Sequence, residues 1–269
     1  MRITRILLVL VFLVVFAVHS IQGMTGPRKS AEVPPVLSCD EGILEISVRD
    51  SDTALLTGIT ANDEQDGDLT GRILVTGTSR LMDDGTAKVS YAVFDSDDNM
   101  ATLTRQIRYT DYRRPRFSLE EPLVYTIGQN IALLDRLHAE DVLDGDITQA
   151  IRVTYTDSNT DTGIHSLNVQ VTNSMGDTAW LTLPVILLED HDNRVDVTLD
   201  TYLLYLQQGD SFRAADHLVR ASFHGDSVSL GNVTISGDVD TDTPGIYNVH
   251  YTGTYGSRTG TVILTVVVE

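Results

Sequence analysis

Cysteine is nearly missing from this chain: 269 residues carry one, Cys39. No internal disulfide can form, so its domains must hold by core burial, and the lone thiol reads as structural, with intermolecular pairing as the lesser alternative. Basic residues are scarce too, with 19 Lys and Arg against 38 Asp and Glu and a formal net charge of −19. That balance argues against nucleic acid, whose phosphates need clustered Lys and Arg, and against docking to anionic lipid. What it leaves is a solvated acidic surface or an attraction for cations. Long apolar runs are limited to Ile6–Val18, thirteen residues without a charge. A spanning helix needs about 20 such residues and a signal-peptide core about 7–15. Arg2 and Arg5 precede the run, so residues 1–24 read as a signal peptide. Because Val18-His19-Ser20 is not a clean cleavage site, an uncleaved anchor stays open as the alternative. Either way the rest of the chain is expected outside the membrane, which it would touch only through this segment. Catalytic strings are missing as well: there is no Gly-x-Ser-x-Gly, no phosphate loop and no Cys–His arrangement. The expectation is a protein that is not an enzyme.

What is present is a repeat. Ala61-Asn-Asp-Glu-Gln-Asp-Gly-Asp-Leu-Thr70 returns as Ala139-Glu-Asp-Val-Leu-Asp-Gly-Asp-Ile-Thr148, 78 residues later. After each acidic turn comes a glycine and a run with residues of one face at every second position. These are Gly85, Ala87, Val89, Tyr91, Val93 and Asp95, then Gly163, His165, Leu167, Val169, Val171 and Asn173, again 78 apart. A third copy, Gly245, Tyr247, Val249, Tyr251, Gly253 and Tyr255, lies 82 further on, with its acidic turn reduced to His224-Gly225-Asp226. A fixed period over three copies outranks any local motif.

The 42% hydrophobic content suits globular domains. Period-2 alternation in short runs separated by Gly and Asx turns predicts an all-β sandwich in each copy. The expected limits are a linker at 25–35 and domains at 36–111, 117–189 and 195–269. Tyr112-Arg113-Arg114-Pro115-Arg116 is the first joint, its arginines placed to pair with acids at the adjoining domain end, and Asp190-His191-Asp192-Asn193 is the second. Pro184 marks a strand that is an edge or is bulged there. Val262–Val268 is apolar on both faces, so it is either fully buried or covered by a partner on one face.

The phrases Ala-x-Asp-x-x-Asp-Gly-Asp-Leu/Ile-Thr and Val89-Ser90-Tyr91-Ala92-Val93-Phe94-Asp95 with Asn99 resemble bacterial immunoglobulin-like domains. The particular group is the one repeated in surface proteins and some pesticidal crystal proteins, akin to hyalin-repeat modules. The resemblance runs from about residue 36 to the end and is better in the first two copies than in the third. It implies three tandem Ig-like sandwiches after the signal or anchor, exported to the cell surface. It also implies roles in spacing, adhesion or glycan contact, toward a surface protein or a glycan, and no catalytic residues.

Two features are candidate sites. Asp63, Asp66 and Asp68, with Asp141, Asp144 and Asp146, are carboxylates clustered as calcium would want them, though not at EF-hand spacing. The competing reading is a tight turn in which Gly67 and Gly145 take positive φ and the Asp side chains cap backbone amides. Asp95-Ser96-Asp97-Asp98-Asn99 is a second acidic loop, read as a hairpin connection, with a second calcium site as the lesser alternative. Trp180 alternates away from Ala179 and Leu181, which faces it outward toward a sugar ring or a neighbouring domain, unless a loop of its own domain covers it. The histidines lack metal-site spacing, and His165 sits on the apolar side of its strand.

Overall fold

The computed structural model describes residues 33–269 except 83–84, 129–131, 157–160 and 191. The apolar run at 1–24 and most of the 25–35 linker lie outside the described residues. Among the described residues no helix is long and apolar enough to cross a membrane. Strands and short 3-10 turns make up the regular structure, and the protein is all-β, built of tandem Ig-like sandwiches.

The period of the sequence is the period of the fold. Strands Ile59–Asp63, Gly67–Asp68 and Leu74–Thr78 recur as Leu137–Asp141, Gly145–Asp146 and Arg152–Thr156. Even the irregularity recurs: the ladder slips between Val75 and Gly77 in one copy and between Val153 and Tyr155 in the other. Such bulges increase the local twist that lets a sheet close over its partner. The second repeat shows the layering. Gly145–Asp146, Leu137–Asp141 and Arg116–Leu119 form one sheet; Arg152–Thr156, Gly163–Thr172, Thr178–Leu188 and Val124–Thr126 form the other. In the long hairpin Leu167, Val169 and Val171 pair with Leu183, Leu181 and Ala179, and the first five of these are buried between the sheets. Removing such side chains from water stabilises the sandwich by about 25 cal/mol per Å² of apolar surface.

The described chain divides into two compact units. One holds the described part of Met1–Leu44 with Ser51–Thr78 and Lys88–Gln106. Its core includes Ile59, Ala61, Leu69, Ile73, Val89, Tyr91 and Val93. Tyr91 is fully enclosed, and its hydroxyl donates to the Leu55 carbonyl at 2.7 Å, tying the long strand to a 3-10 turn.

The other unit holds Glu45–Asp50, Ser79–Ala87 and Ile107–Glu269, and so contains the second and third repeats together. Tyr251 stands where Tyr91 stands in the first copy and repeats its bond, donating to the Ala214 carbonyl at 2.7 Å. Burial pushes the Tyr251 phenol up to about 12. The second repeat has Val169 at this register and dispenses with the bond.

The two-faced apolar strand finds its covering inside the chain. On Arg258–Val268, Val262, Leu264, Val266 and Val268 enter the buried core that runs through the second and third repeats. Ile263 points the other way and packs with Val124 and Ile186 of the second repeat. Along the same side the Tyr202 amide donates to the Leu119 carbonyl at 3.0 Å, and the Phe117 amide donates to the Tyr205 hydroxyl at 3.2 Å. The two repeats therefore pack side against side. Pro184 is explained similarly: its strand has a neighbour on each side, but the Val124–Thr126 strand pairs only with Ile186–Leu188, and Pro184 lies beyond that neighbour's end.

Candidate functional site

Each acidic turn is a set of backbone caps. Asp63 Oδ2 accepts from the Gln65 amide at 2.7 Å and the Asp66 amide at 3.0 Å. Asp141 Oδ1 accepts from the Leu143 amide at 2.9 Å and the Asp144 amide at 3.2 Å. Both carboxylates are buried, and a buried charge is tolerated only when its lone pairs are satisfied. Gly67 and Gly145 follow with φ of 72° and 71°, in the left-handed region that a side chain disfavours.

The middle carboxylate reaches further. Asp66 accepts from the Ser96 amide at 2.6 Å and its hydroxyl at 2.8 Å; Asp144 does the same with Ser174, at 2.6 Å for both. Each acidic turn is thus stapled to the hairpin loop 30 residues downstream. The serines also obey the 78-residue period, a signal present in the sequence that the turn pattern alone does not single out.

Asp68 and Asp146 cap the next turn, each accepting from a threonine amide, Thr70 or Thr148, at 2.9 Å. The threonine side chain and then its amide hold both carboxyls below their ordinary value of 3.8. A folded-state value below the unfolded one gives stability that is present above 3.8 and lost as pH falls through the lowered value. The denaturation midpoint is therefore expected to drop on acidification from about pH 5 to about pH 2. A combined Asp68→Asn and Asp146→Asn variant should show a shallower acid slope in the same titration, and an unchanged slope would remove these two groups from the acid response. Among the described residues no three or more His, Cys, Asp and Glu side chains converge as a metal ion would require.

The hairpin loops exchange a matched pair. In the first copy Asp95 accepts from the Asp97 and Asn99 amides and from the Asn99 side chain, at 2.9, 2.8 and 2.8 Å. In the second copy Asn173 stands for Asp95 and Asp177 for Asn99. Asn173 Oδ1 accepts from the Asp177 amide at 2.9 Å, while its Nδ2 donates to Asp141 Oδ2 at 3.1 Å and to the Tyr112 hydroxyl at 2.9 Å. Tyr112 donates in turn to Asp177 Oδ2 at 2.9 Å. Burial, then that bond, raises the phenol's pKa well above the ordinary tyrosine range. Tyr112 belongs to the joint sequence, where the basic residues draw attention away from it. The arginines of the joint do find acids: Arg114 lies 3.6 Å from Asp177, and Arg116 pairs with Glu269.

Beside this joint opens a groove of about 580 Å³. Its wall is formed by Arg113, Arg114 and Arg116 from the joint, Trp180 from the second repeat, and Tyr205 and Glu269 from the third. Trp180 faces outward as alternation predicts and is 64% exposed, while Leu181 beside it is buried. Arg116 lies over the Tyr205 ring, 4.9 Å from its centroid. Of the histidines, His165 is half-buried, with Nε2 2.8 Å from the Asp161 carbonyl oxygen, and His217 Nδ1 lies 3.0 Å from Asp200.

No curated protein matches this chain. Among solved structures it is similar to one of the CBM51-2, in complex with GlcNAc, and INT domains from Clostridium perfringens ZmpB, at 14% identity and a TM-score of 0.23, over 87% of this chain and 42% of that one. It is also similar to Drosophila N-cadherin EC1-3, at 11% identity and a TM-score of 0.29, over 90% of this chain and 91% of that one. Human CDH23 EC21-23 is similar at 10% identity and a TM-score of 0.24, over 87% of this chain and 100% of that one. The chain spans 42% and 31% of two of the ZmpB structures it matches. The family match falls on the third copy, although the acidic-turn phrases of the resemblance are fullest in the first two. Residues 205–266 match the bacterial Ig-like domain family, group 3.

Proposed function

We propose that this chain is an exported, non-catalytic surface protein that works by contact, as an adhesion module of three Ig-like domains at 36–111, 117–189 and 195–269. The observation that carries the reading is the side-against-side union of the second and third repeats through Ile263, Val124 and Ile186. A pair of domains fixed in this way gains a joint surface and gives up reach, which favours adhesion over spacing. The finer kinship with hyalin-repeat and crystal-protein modules belongs to the same proposal and rests on the Asp-Gly-Asp turns. Those turns are proposed as backbone devices: chelator is expected to leave the melting temperature unchanged, and a calcium-induced rise would reassign them to metal binding.

Retention of the full chain on immobilised surface proteins and on a glycan array tests the contact reading. Saturable retention on at least one surface supports it, and failure on all of them counts against it. Export is tested by digesting intact cells with protease: the chain should be cut from outside. A second reading, glycan binding that positions a partner enzyme, draws on the exposed Trp180.

A further inference from the structure

We infer that the groove between the 113–116 joint, Trp180 and Tyr205 is a binding site for an acidic saccharide, one whose sugar rings carry carboxylates. The inference deepens the contact reading and rests on it. Three arginines line the groove against one carboxylate, Glu269, in a chain whose net charge is −19. That carboxylate is already engaged, by Arg116 and by Gln207 Nε2 at 3.3 Å. Arg114 is mostly exposed and makes only a 3.6 Å pair with Asp177. Arg113 is exposed and has no ion pair among the described residues. Two guanidinium groups therefore remain available for an acid, and the planar fork of arginine suits a carboxylate better than any other cationic side chain. Charges elsewhere on the acidic surface are screened beyond about 8 Å at physiological salt, so the local arginines govern contact.

Carboxylate capture alone does not explain the tryptophan. An indole left 64% exposed beside guanidinium groups offers a flat apolar face next to positive charge. Aromatic rings that present an apolar body at a wet surface are the usual anchors of recognition. A pyranose acid matches both parts, with C–H groups on one ring face and a carboxylate on its edge. The size agrees: about 580 Å³ falls within the range of about 300–1,000 Å³ typical of small-ligand sites.

Trp180 is the single tryptophan, so its emission reports this groove alone. The full chain is titrated with oligogalacturonate, with a neutral chito-oligosaccharide of equal length and with oligoglutamate. A saturable emission change with oligogalacturonate, at least tenfold tighter than with either other probe, is expected. Arg113→Ala should weaken it about tenfold, the loss of one charge-assisted hydrogen bond. Trp180→Ala, read by calorimetry, should abolish it; both side chains are exposed, so neither change threatens folding. No saturable change with oligogalacturonate overturns the inference. Equal binding of oligoglutamate would make the groove an acidic-peptide site, and equal binding of the neutral sugar would remove the arginines' role; either result also overturns it. The surface-retention assay stays independent: retention on a surface by a chain that shows no saturable change with oligogalacturonate sinks the groove and leaves the contact reading standing.

Discussion

Gly260→Ala is expected to destabilise the third repeat by about 3 kcal/mol or more, beyond the usual range of overpacking, because a backbone rather than a side chain must yield. Gly260 and Gly253 face each other across the final hairpin, and Val195 lies over the pair. A Cβ at Gly260 would stand 1.9 Å from the Val195 carbonyl oxygen and 2.8 Å from its carbon. Val195 cannot retreat easily. Its side chain is fully buried, and the neighbouring Arg194 guanidinium, itself buried, donates to the Thr261 carbonyl at 2.8 Å. The facing substitution, Gly253→Ala, would meet Val195 Cγ1 at 2.7 Å and Val197 Cγ2 at 2.9 Å. Those are side-chain methyls and not backbone, so its cost should stay within the overpacking range of about 1–3 kcal/mol. Urea unfolding of the two variants distinguishes them. If Gly260→Ala lies within about 0.5 kcal/mol of the parent, the Val195 crossing is misplaced.

Ile263→Asp should part the second repeat from the third without unfolding either. Ile263 is 6% exposed and touches Val124 and Ile186, so a carboxylate there would be buried without a partner, at a cost of several kcal/mol. The alternate residues Val262, Leu264, Val266 and Val268 lie in the buried core on the strand's other face and keep their places. The expected result is two separate unfolding transitions in place of one and a larger radius of gyration in solution scattering. New protease sensitivity near 192–193 should accompany them. A single transition at the parental midpoint would show that the two repeats do not stabilise each other through this contact.

These two predictions differ in how far the sequence foresees them. The register of the final hairpin follows from alternation, so the Gly253–Gly260 pairing was within reach of the pattern. That Val195 crosses both glycines was not, because nothing in a strand's periodicity says which distant backbone will lie on it. The acidic turns were legible for a local reason: Asp63 and Asp141 cap amides two and three residues away, and such bonds are written within a short window. The outward direction of Trp180 was legible on the same ground. The staples from Asp66 to Ser96 and from Asp144 to Ser174 were half-legible, since the serines keep the repeat but their partners lie 30 residues away in the chain.

By itself, then, the order of residues determined the sandwich plan, its period, the caps of its turns and the face each hairpin residue takes. These depend on alternation and on bonds spanning a few residues. Tertiary structure alone decided that the second face of Val262–Val268 would be covered by the second repeat, because apolar burial has no direction and any apolar surface of the right shape would serve. The same non-local choice brought Arg113, Trp180 and Tyr205 to one groove from three separate stretches of chain.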